Sequence, residues 1–176
     1  MSRSKQHIVY TIGHSTNTIE KFIEMLRSFD IKLLADVRGL PGSNKFPQFN
    51  QENLERSLPE HKIHYQYFKD LGGRRRALKN SLNTRWLNAS FRGYADYMET
   101  DNFEKAMLQL KKQAAKKATA IMCAEALWWR CHRSMIADYL TAQGWQVLHI
   151  MNIGKVQEHR YTSPATVVGD KVSYHD

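Results

Sequence analysis

Apolar and polar residues follow two patterns along the chain, one typical of buried strands and one typical of amphipathic helices. Short aliphatic or aromatic runs bounded by turn residues predict strands at residues 7–12, 32–37, 64–68, 119–123 and 146–151. Apolar residues at helical spacing predict helices over residues 18–29, 51–58, 93–98, 103–118 and 133–142. The tail after Ile153 is polar and rich in turn residues.

Strands and helices follow one another in turn, and this order predicts an α/β fold. We expect a single three-layer domain over residues 1–176, with a mainly parallel central sheet of about five strands joined by right-handed crossovers. The strands at 7–12, 32–37 and 119–123 are predicted to lie side by side. The stretch 39–118 is the least regular part, and an insertion that covers a substrate is expected there.

Reactive side chains stand where three of the predicted strands end. The carboxyl ends of parallel strands meet at one edge of a sheet, and open α/β sheets bind their ligands at that edge. We therefore expect these side chains to share one pocket. The residues concerned are His14, Ser15, Arg38, Glu125, His132 and Arg133.

Acid–base chemistry is assigned to His14, Glu125 and His132, because imidazole and carboxylate groups serve as proton donors and acceptors in catalysis. His14 and Ser15 precede a predicted helix whose first backbone amides are unpaired, and such a terminus binds anions. The alternative is a turn in which Ser15 only caps the helix and His14 is only hydrogen-bonded.

Asp36 and Arg38 lie two residues apart, so in an extended strand they point to the same face. We interpret Arg38 as a clamp for a substrate anion and Asp36 as the carboxylate that orients it. A self-contained salt bridge is the alternative. Arg133, at the start of the last predicted helix, is a second predicted contact to the anion.

Cys123 and Cys131 have three interpretations. Cys123 is a nucleophile if His132 or Arg133 lowers the pKa of its thiol. Both cysteines with His132 and His14 form a zinc site if they converge, although their spacing matches no paired Cys-x-x-Cys motif. Both are small buried hydrophobic residues if they only pack. We expect acid–base chemistry without an essential metal or cofactor.

The formal net charge of +9 favours an anionic partner, either nucleic acid or a phosphorylated small molecule. The segment Gly72-Gly73-Arg74-Arg75-Arg76 combines flexible backbone amides with guanidinium groups, a composition typical of phosphate contacts. Gly72, Gly73, Arg74 and Arg75 are therefore predicted to bind the anion. A solvated basic loop is the alternative.

The two cysteines provide no disulfide framework, which favours a reducing cytoplasm. No apolar run approaches the length of a membrane span, so we expect no membrane partner.

Six short motifs occur in order along the chain. They are Thr11-Ile-Gly-His-Ser15, Asp36-Val-Arg38 with Pro41 and Ser43, Leu71-Gly-Gly73, Gly93-Tyr-Ala-Asp-Tyr97, Cys123-Ala-Glu125 and Cys131-His-Arg133. On these motifs, residues 8–160 resemble the bacterial and archaeal family called domain of unknown function 488. The resemblance implies an α/β fold with a shared polar site, and it implies no reaction.

Two functions from different classes fit these observations. The first is an enzyme that acts on a phosphorylated or nucleic-acid substrate by acid–base chemistry in a cleft at the strand C-terminal ends. The second is a nucleic-acid-binding module without catalysis, in which the polar cluster is a structural network. An open pocket shared by His14, Arg38, Glu125 and His132 favours the enzyme, whereas a closed and fully paired cluster favours the module.

Overall fold

The secondary structure follows the alternation seen in the sequence. The computed structural model describes residues 6–176. Its strands are β1 (Ile8–Gly13), β2 (Leu33–Asp36), β3 (His64–Tyr67), β4 (Thr119–Cys123), β5 (Gln146–Asn152), β6 (Lys155–Glu158), β7 (Thr166–Val168) and β8 (Lys171–Ser173). Its α-helices are α1 (Ile19–Arg27), α2 (Gln51–Ser57), α3 (Ala89–Tyr97), α4 (Asp101–Lys116) and α5 (Arg133–Ala142).

The central sheet has six strands in the order β3-β2-β4-β1-β5-β6. Strands β1 to β5 are parallel, and β6 is antiparallel to β5. The predicted α/β class with a mainly parallel sheet is confirmed, and β2, β4 and β1 are neighbours as expected. The sequence pattern does not predict β6, because all of its residues are exposed and it therefore has no buried apolar face.

Helices cover both faces of the sheet and make three layers. Helices α1 and α2 pack on one face against side chains such as Ile12 and Met122. Helices α3, α4 and α5 pack on the other face against Val9 and Ile121. Because successive strand residues point to opposite faces, Cys123 at the end of β4 lies on the α5 side. Among residues 6–176, no helix is both long and apolar enough to cross a membrane.

Helix α3 begins four residues earlier than the sequence predicts, at Ala89 instead of Gly93. Its N-cap is Asn88, whose side chain accepts hydrogen bonds from the amides of Ser90 and Phe91. Gly93 lies inside the helix, at the point where the loop at Arg75 crosses it. A Cβ atom on Gly93 would lie only 2.0 Å from the Arg75 carbonyl oxygen. This glycine therefore marks a close backbone contact and not a helix boundary.

The strands that carry the predicted site end together. In the sheet register Gly13 lies beside Cys123, and the amides of His14 and Ser15 donate to the carbonyls of Cys123 and Ala124 at 3.0 and 2.9 Å. A Cβ atom on Gly13 would lie 1.7 Å from the carbonyl oxygen of Glu125. The loop that follows β4 thus rests directly on the backbone of β1.

Replacing Gly13 with alanine is expected to displace the Glu125 loop, because the added methyl group overlaps a backbone carbonyl. We expect the free energy of unfolding to fall by about 1–3 kcal/mol, the usual cost of overpacking. Chemical denaturation measures this change in the free energy of unfolding. Gly42→Ala is the matched control, since the nearest atom to a Cβ there is 3.9 Å away. Equal stabilities of the two variants would contradict the close contact.

Candidate functional site

A cavity of about 480 Å³, which we call the main cavity because predicted site residues line it, opens where β2 and β4 end. The predicted site residues that line it are Arg38, Gly73, Arg74, Glu125 and His132. The other predicted site residues lie behind or beside its wall: His14, Ser15, Asp36, Gly72, Arg75 and Arg133. The cavity is thus lined by predicted site residues from the ends of β2 and β4, from the start of α5 and from the Gly-Gly-Arg loop, whereas His14 and Ser15 at the end of β1 do not line it.

Arg38 is held in a fixed orientation by Asp36. Its Nε and one terminal nitrogen donate to the two carboxylate oxygens of Asp36 at 2.9 and 2.8 Å. The same terminal nitrogen donates to the carbonyl of Phe49 at 2.7 Å. Asp36 is fully buried and also accepts a hydrogen bond from the Tyr65 hydroxyl. Arg38 forms this salt bridge and also lines the cavity. Its Nε and this terminal nitrogen are fully engaged, so only the second terminal nitrogen has an N–H left for a ligand.

His14 lies behind Arg38 and does not line the cavity. Its Nδ1 is 2.9 Å from the carbonyl oxygen of Ser15, so Nδ1 carries the proton, because a carbonyl can only accept. Its Nε2 is 3.5 Å from the second terminal nitrogen of Arg38, and its ring stacks on Phe49. Burial lowers the pKa of His14, which keeps it neutral at pH 7. His14 thus accepts from Arg38 and orients it.

Ser15 occupies a left-handed turn, with φ 49°, between β1 and α1. The N-cap of α1 is Thr18, whose side-chain oxygen accepts from the amide of Lys21 at 3.1 Å. The alternative in which Ser15 caps the helix is therefore wrong.

Arg133 is the largest fully buried side chain of the described residues, with 1 % of its surface exposed. Its guanidinium group donates to the sulfur of Cys123 at 3.1 Å and to the hydroxyl of Thr11 at 2.7 Å. It also donates to the carbonyls of Glu125 and Ala126 at 2.8 and 3.1 Å. No salt bridge among residues 6–176 includes Arg133. A buried charge without a carboxylate partner is costly, so its other neighbours matter.

A line of hydrogen bonds leads from Arg133 into the core, and we call it the Arg133–Asp138 network. It comprises Arg133, Thr11, His149, His159 and Asp138. The Thr11 hydroxyl contacts Nδ1 of His149, and Nε2 of His149 is 2.8 Å from Nδ1 of His159. Nε2 of His159 is 2.8 Å from a carboxylate oxygen of Asp138, which is fully buried.

The bonds at the two ends of this network have a fixed direction, because a guanidinium group only donates and a carboxylate only accepts. Thr11 therefore accepts from Arg133, and Asp138 accepts from Nε2 of His159. Burial, with the charges of His159 and Arg133, lowers the pKa of His149 to about 2, so its ring stays neutral. Trp128 stacks on that ring with 4.5 Å between the ring centres.

His132 stands between β2 and the cavity. Its Nε2 is 2.7 Å from the carbonyl oxygen of Val37 and therefore carries the proton. Its unprotonated Nδ1 faces the sulfur of Cys131 at 3.5 Å. Burial lowers the pKa of His132, which leaves the ring neutral at pH 7. The sequence pattern points to His132 and offers Cys131 only as a zinc ligand or a packed residue.

The two cysteines are free thiols that line the cavity, and their environments differ. Burial and the neighbouring Cys131 raise the pKa of Cys123 well above its ordinary value. Burial also raises the pKa of Cys131, but the neighbouring Cys123 thiol and the charge of Arg133 outweigh it and lower the pKa. Cys131 is therefore the more acidic thiol. Within residues 6–176, no group of three or more His, Cys, Asp or Glu side chains is arranged to hold a metal ion.

The Gly-Gly-Arg loop is divided between two cavities. Gly73 and Arg74 line the main cavity, and with Gly72 and Arg75 they also line an adjoining one of about 320 Å³. The guanidinium carbon of Arg75 lies 3.7 Å from the ring centre of Tyr97, which fixes that side chain beside the loop. Arg74 is exposed.

Some residues of the site lie neither at the end of a predicted strand nor in a run of basic residues, so the sequence analysis does not find them. Arg130 lines the main cavity, as do Asn88 and Ser90 at the start of α3. His149 has a weak signal, because a histidine inside an apolar strand must be buried with a partner. Its partner Thr11 is 138 residues away, so spacing along the chain does not reveal the pair.

The family model for the domain of unknown function DUF488 matches residues 18–140, well over half of the sequence. The chain belongs to the DUF488 family. The DUF488 match covers Arg38, Glu125 and His132 of the cavity, whereas Thr11 and His149 of the Arg133–Asp138 network lie outside it. The resemblance seen in the sequence is confirmed over a shorter span than 8–160. No curated protein and no solved structure matches the chain.

Thr11→Val tests whether the network supports this DUF488 cavity. Valine has the shape of threonine but leaves one terminal nitrogen of Arg133 and Nδ1 of His149 each without a partner. We expect the free energy of unfolding to fall by about 2 kcal/mol or more, because each unsatisfied buried group costs about 1–3 kcal/mol. Thr11→Ser keeps the hydroxyl and is expected to cost about 1 kcal/mol or less, for one buried methyl group. Urea denaturation measures the free energy of unfolding of both variants, and an equal loss of stability in the two would contradict the network.

Proposed function

We propose that this DUF488 protein is an enzyme that acts on a phosphorylated or nucleic-acid substrate by acid–base chemistry in the main cavity. One observation carries the proposal. Arg38, Arg74 and Arg130 line the same cavity as Glu125 and His132. The volume of about 480 Å³ falls in the range of small-molecule sites, so the cavity accommodates a nucleotide-sized group.

The arginines supply the binding energy in this proposal. Guanidinium groups bind phosphate oxygens through paired hydrogen bonds and remain charged at every physiological pH. Arg38 is already oriented by Asp36 and His14, so it loses little side-chain entropy when a ligand binds. Arg74 and Arg130 are exposed at the rim and close on the ligand from outside.

Glu125 and His132 are the proton-transfer groups in this proposal. The side chain of Glu125 is exposed, while its backbone carbonyl is held by Arg133 at 2.8 Å. His132 keeps Nδ1 unprotonated because Nε2 donates to Val37. His14, the third predicted proton-transfer group, is assigned to the orientation of Arg38, because both of its ring nitrogens are engaged.

The second candidate is a nucleic-acid-binding module without catalysis. The exposure of Arg74, Arg76 and Lys79 along one loop favours it, together with the net charge of +9. A basic loop of this kind contacts phosphates independently of base sequence. The two candidates share the loop and differ only in whether Glu125 is needed.

Glu125→Gln is expected to abolish turnover and to leave the fold intact. We expect a loss of about 100- to 10,000-fold in rate, the usual contribution of a general acid or base. The free energy of unfolding should change by less than about 0.5 kcal/mol, because the side chain is exposed. The assay uses 4-nitrophenyl phosphate, mononucleotides and short DNA and RNA. Glu24→Gln, an exposed change on α1, is the control. Full activity of Glu125→Gln on a substrate that the wild type turns over would refute the assignment.

Replacing Arg74, Arg75 and Arg76 with alanine is expected to weaken binding of single-stranded RNA and DNA for all sequences alike. Each lost phosphate contact should reduce the slope of log affinity against log salt by about 0.7, because fewer counterions are released. Fluorescence anisotropy measures both quantities. The control replaces Lys105, Lys112 and Lys116, exposed on α4, and removes the same charge. The same loss in both variants would show an effect of net charge and not of the loop.

A further inference from the structure

We propose that Cys131 is the nucleophile of the main cavity and that His132 is its base. The inference rests on the proposed function, because it supplies a covalent step for the same phosphorylated substrate. It stands on three features of the described residues: a cavity lined by arginines, a thiol beside an unprotonated imidazole nitrogen, and a buried arginine that lacks a carboxylate partner.

The geometry is that of a nucleophile, a base and a group that orients the base. The sulfur of Cys131 is 3.5 Å from Nδ1 of His132, and Nε2 of His132 donates to the carbonyl of Val37 at 2.7 Å. The Val37 carbonyl keeps the proton on Nε2, so Nδ1 is available to accept the thiol proton. Side chains in these roles activate thiols and hydroxyls in covalent catalysis on unrelated folds.

Arg133 supplies the positive charge that a thiolate needs. It is buried, it has no carboxylate partner among residues 6–176, and it lies two residues after Cys131 in the chain. A thiolate at Cys131 brings a negative charge close to a guanidinium group that is otherwise costly to bury. Burial raises the pKa of Cys131, but the neighbouring Cys123 thiol and the charge of Arg133 outweigh it and lower the pKa.

Cys123 has a different role at the same place. It receives a hydrogen bond from Nε of Arg133 at 3.1 Å, and its thiol donates to the carbonyl oxygen of Glu125 at 3.6 Å. Its pKa is raised well above the ordinary value, first by burial and then by the neighbouring Cys131. Cys123 is thus a neutral thiol held between Arg133 and the loop that follows β4. The structure separates the two thiols that the sequence could not distinguish.

The covalent step balances without a further reactant. The thiol proton of Cys131 moves to Nδ1 of His132, and the sulfur forms a bond to the phosphorus of the bound ester. The bond from phosphorus to the leaving oxygen breaks, and that oxygen takes the proton from His132. Water then attacks the phosphorus, giving a proton to the Glu125 carboxylate. The sulfur–phosphorus bond breaks, and Glu125 returns the proton to the sulfur.

Alkylation of the folded wild-type protein tests the nucleophile without knowledge of the substrate. Iodoacetamide and iodoacetate are applied from about pH 5 to about pH 9, a range that brackets thiol ionisation. Peptide mass spectrometry then gives the rate at each cysteine. Because only the thiolate reacts, the Cys131 rate should level off at a pH below about 8.5, the value for an ordinary cysteine. Cys123 should stay unmodified over the same range.

The charge of the cavity provides a second readout. The anionic reagent should react faster than the neutral one at Cys131, relative to the same ratio for a free cysteine, because the arginines attract it. Arg130→Ala should reduce the iodoacetate rate several-fold and leave the iodoacetamide rate close to wild type. Arg27→Ala, exposed at the end of α1, is the control and should change neither rate.

The chemical step is tested with 4-nitrophenyl phosphate. Acid quenching of the wild type during turnover should trap a phosphoryl group on the Cys131 peptide. Cys123→Ser keeps a donor at its position and should still form the adduct, whereas Cys131→Ser should not. A Cys131 thiol that reacts no faster than a cysteine of ordinary pKa, or a Cys131→Ser variant with full turnover, would overturn the inference. If Cys131 is not the nucleophile, loss of turnover in Glu125→Gln would still support acid–base chemistry in the cavity. The two proposals can therefore be refuted independently.

Discussion

The buried guanidinium group of Arg133 is the interaction on which the site depends. It joins four separate parts of the chain. It donates to Thr11 on β1, to Cys123 at the end of β4 and to two carbonyls of the following loop. Its own backbone begins α5. A helix start, two strand ends and a loop are thereby held in one arrangement. The cost of burying the charge is offset by these hydrogen bonds.

The parts of the fold that bury apolar surface could be predicted from the sequence. The bounds predicted for β4 and α5 agree with the structure, since both elements are almost entirely buried and their apolar patterns are unbroken. Strands β6, β7 and β8 could not be predicted, because they are short and mostly exposed. Their pairing is decided by backbone hydrogen bonds and by the turns between them, which leave little trace in residue type.

The location of the candidate site could be predicted, whereas the direction of each side chain could not. Strand ends identified Arg38, Glu125 and His132, which line the cavity. The same rule selected His14 and Arg133, which turn inward and hold the first group in place. Whether a polar residue at a strand end faces a ligand or supports its neighbour depends on contacts from distant segments, such as Phe49 against His14. A periodic pattern contains no such information.

Asp138 also accepts hydrogen bonds from two residues of the C-terminal tail. The amide of Thr162 donates at 3.0 Å and the hydroxyl of Tyr174 at 2.8 Å, so the segment around the β7–β8 hairpin closes the inner end of the Arg133–Asp138 network. The tail thus supplies two of the donors that satisfy this buried carboxylate. Loss of the tail would leave Asp138 short of hydrogen-bond donors in the core, at a cost in stability that such unsatisfied groups carry.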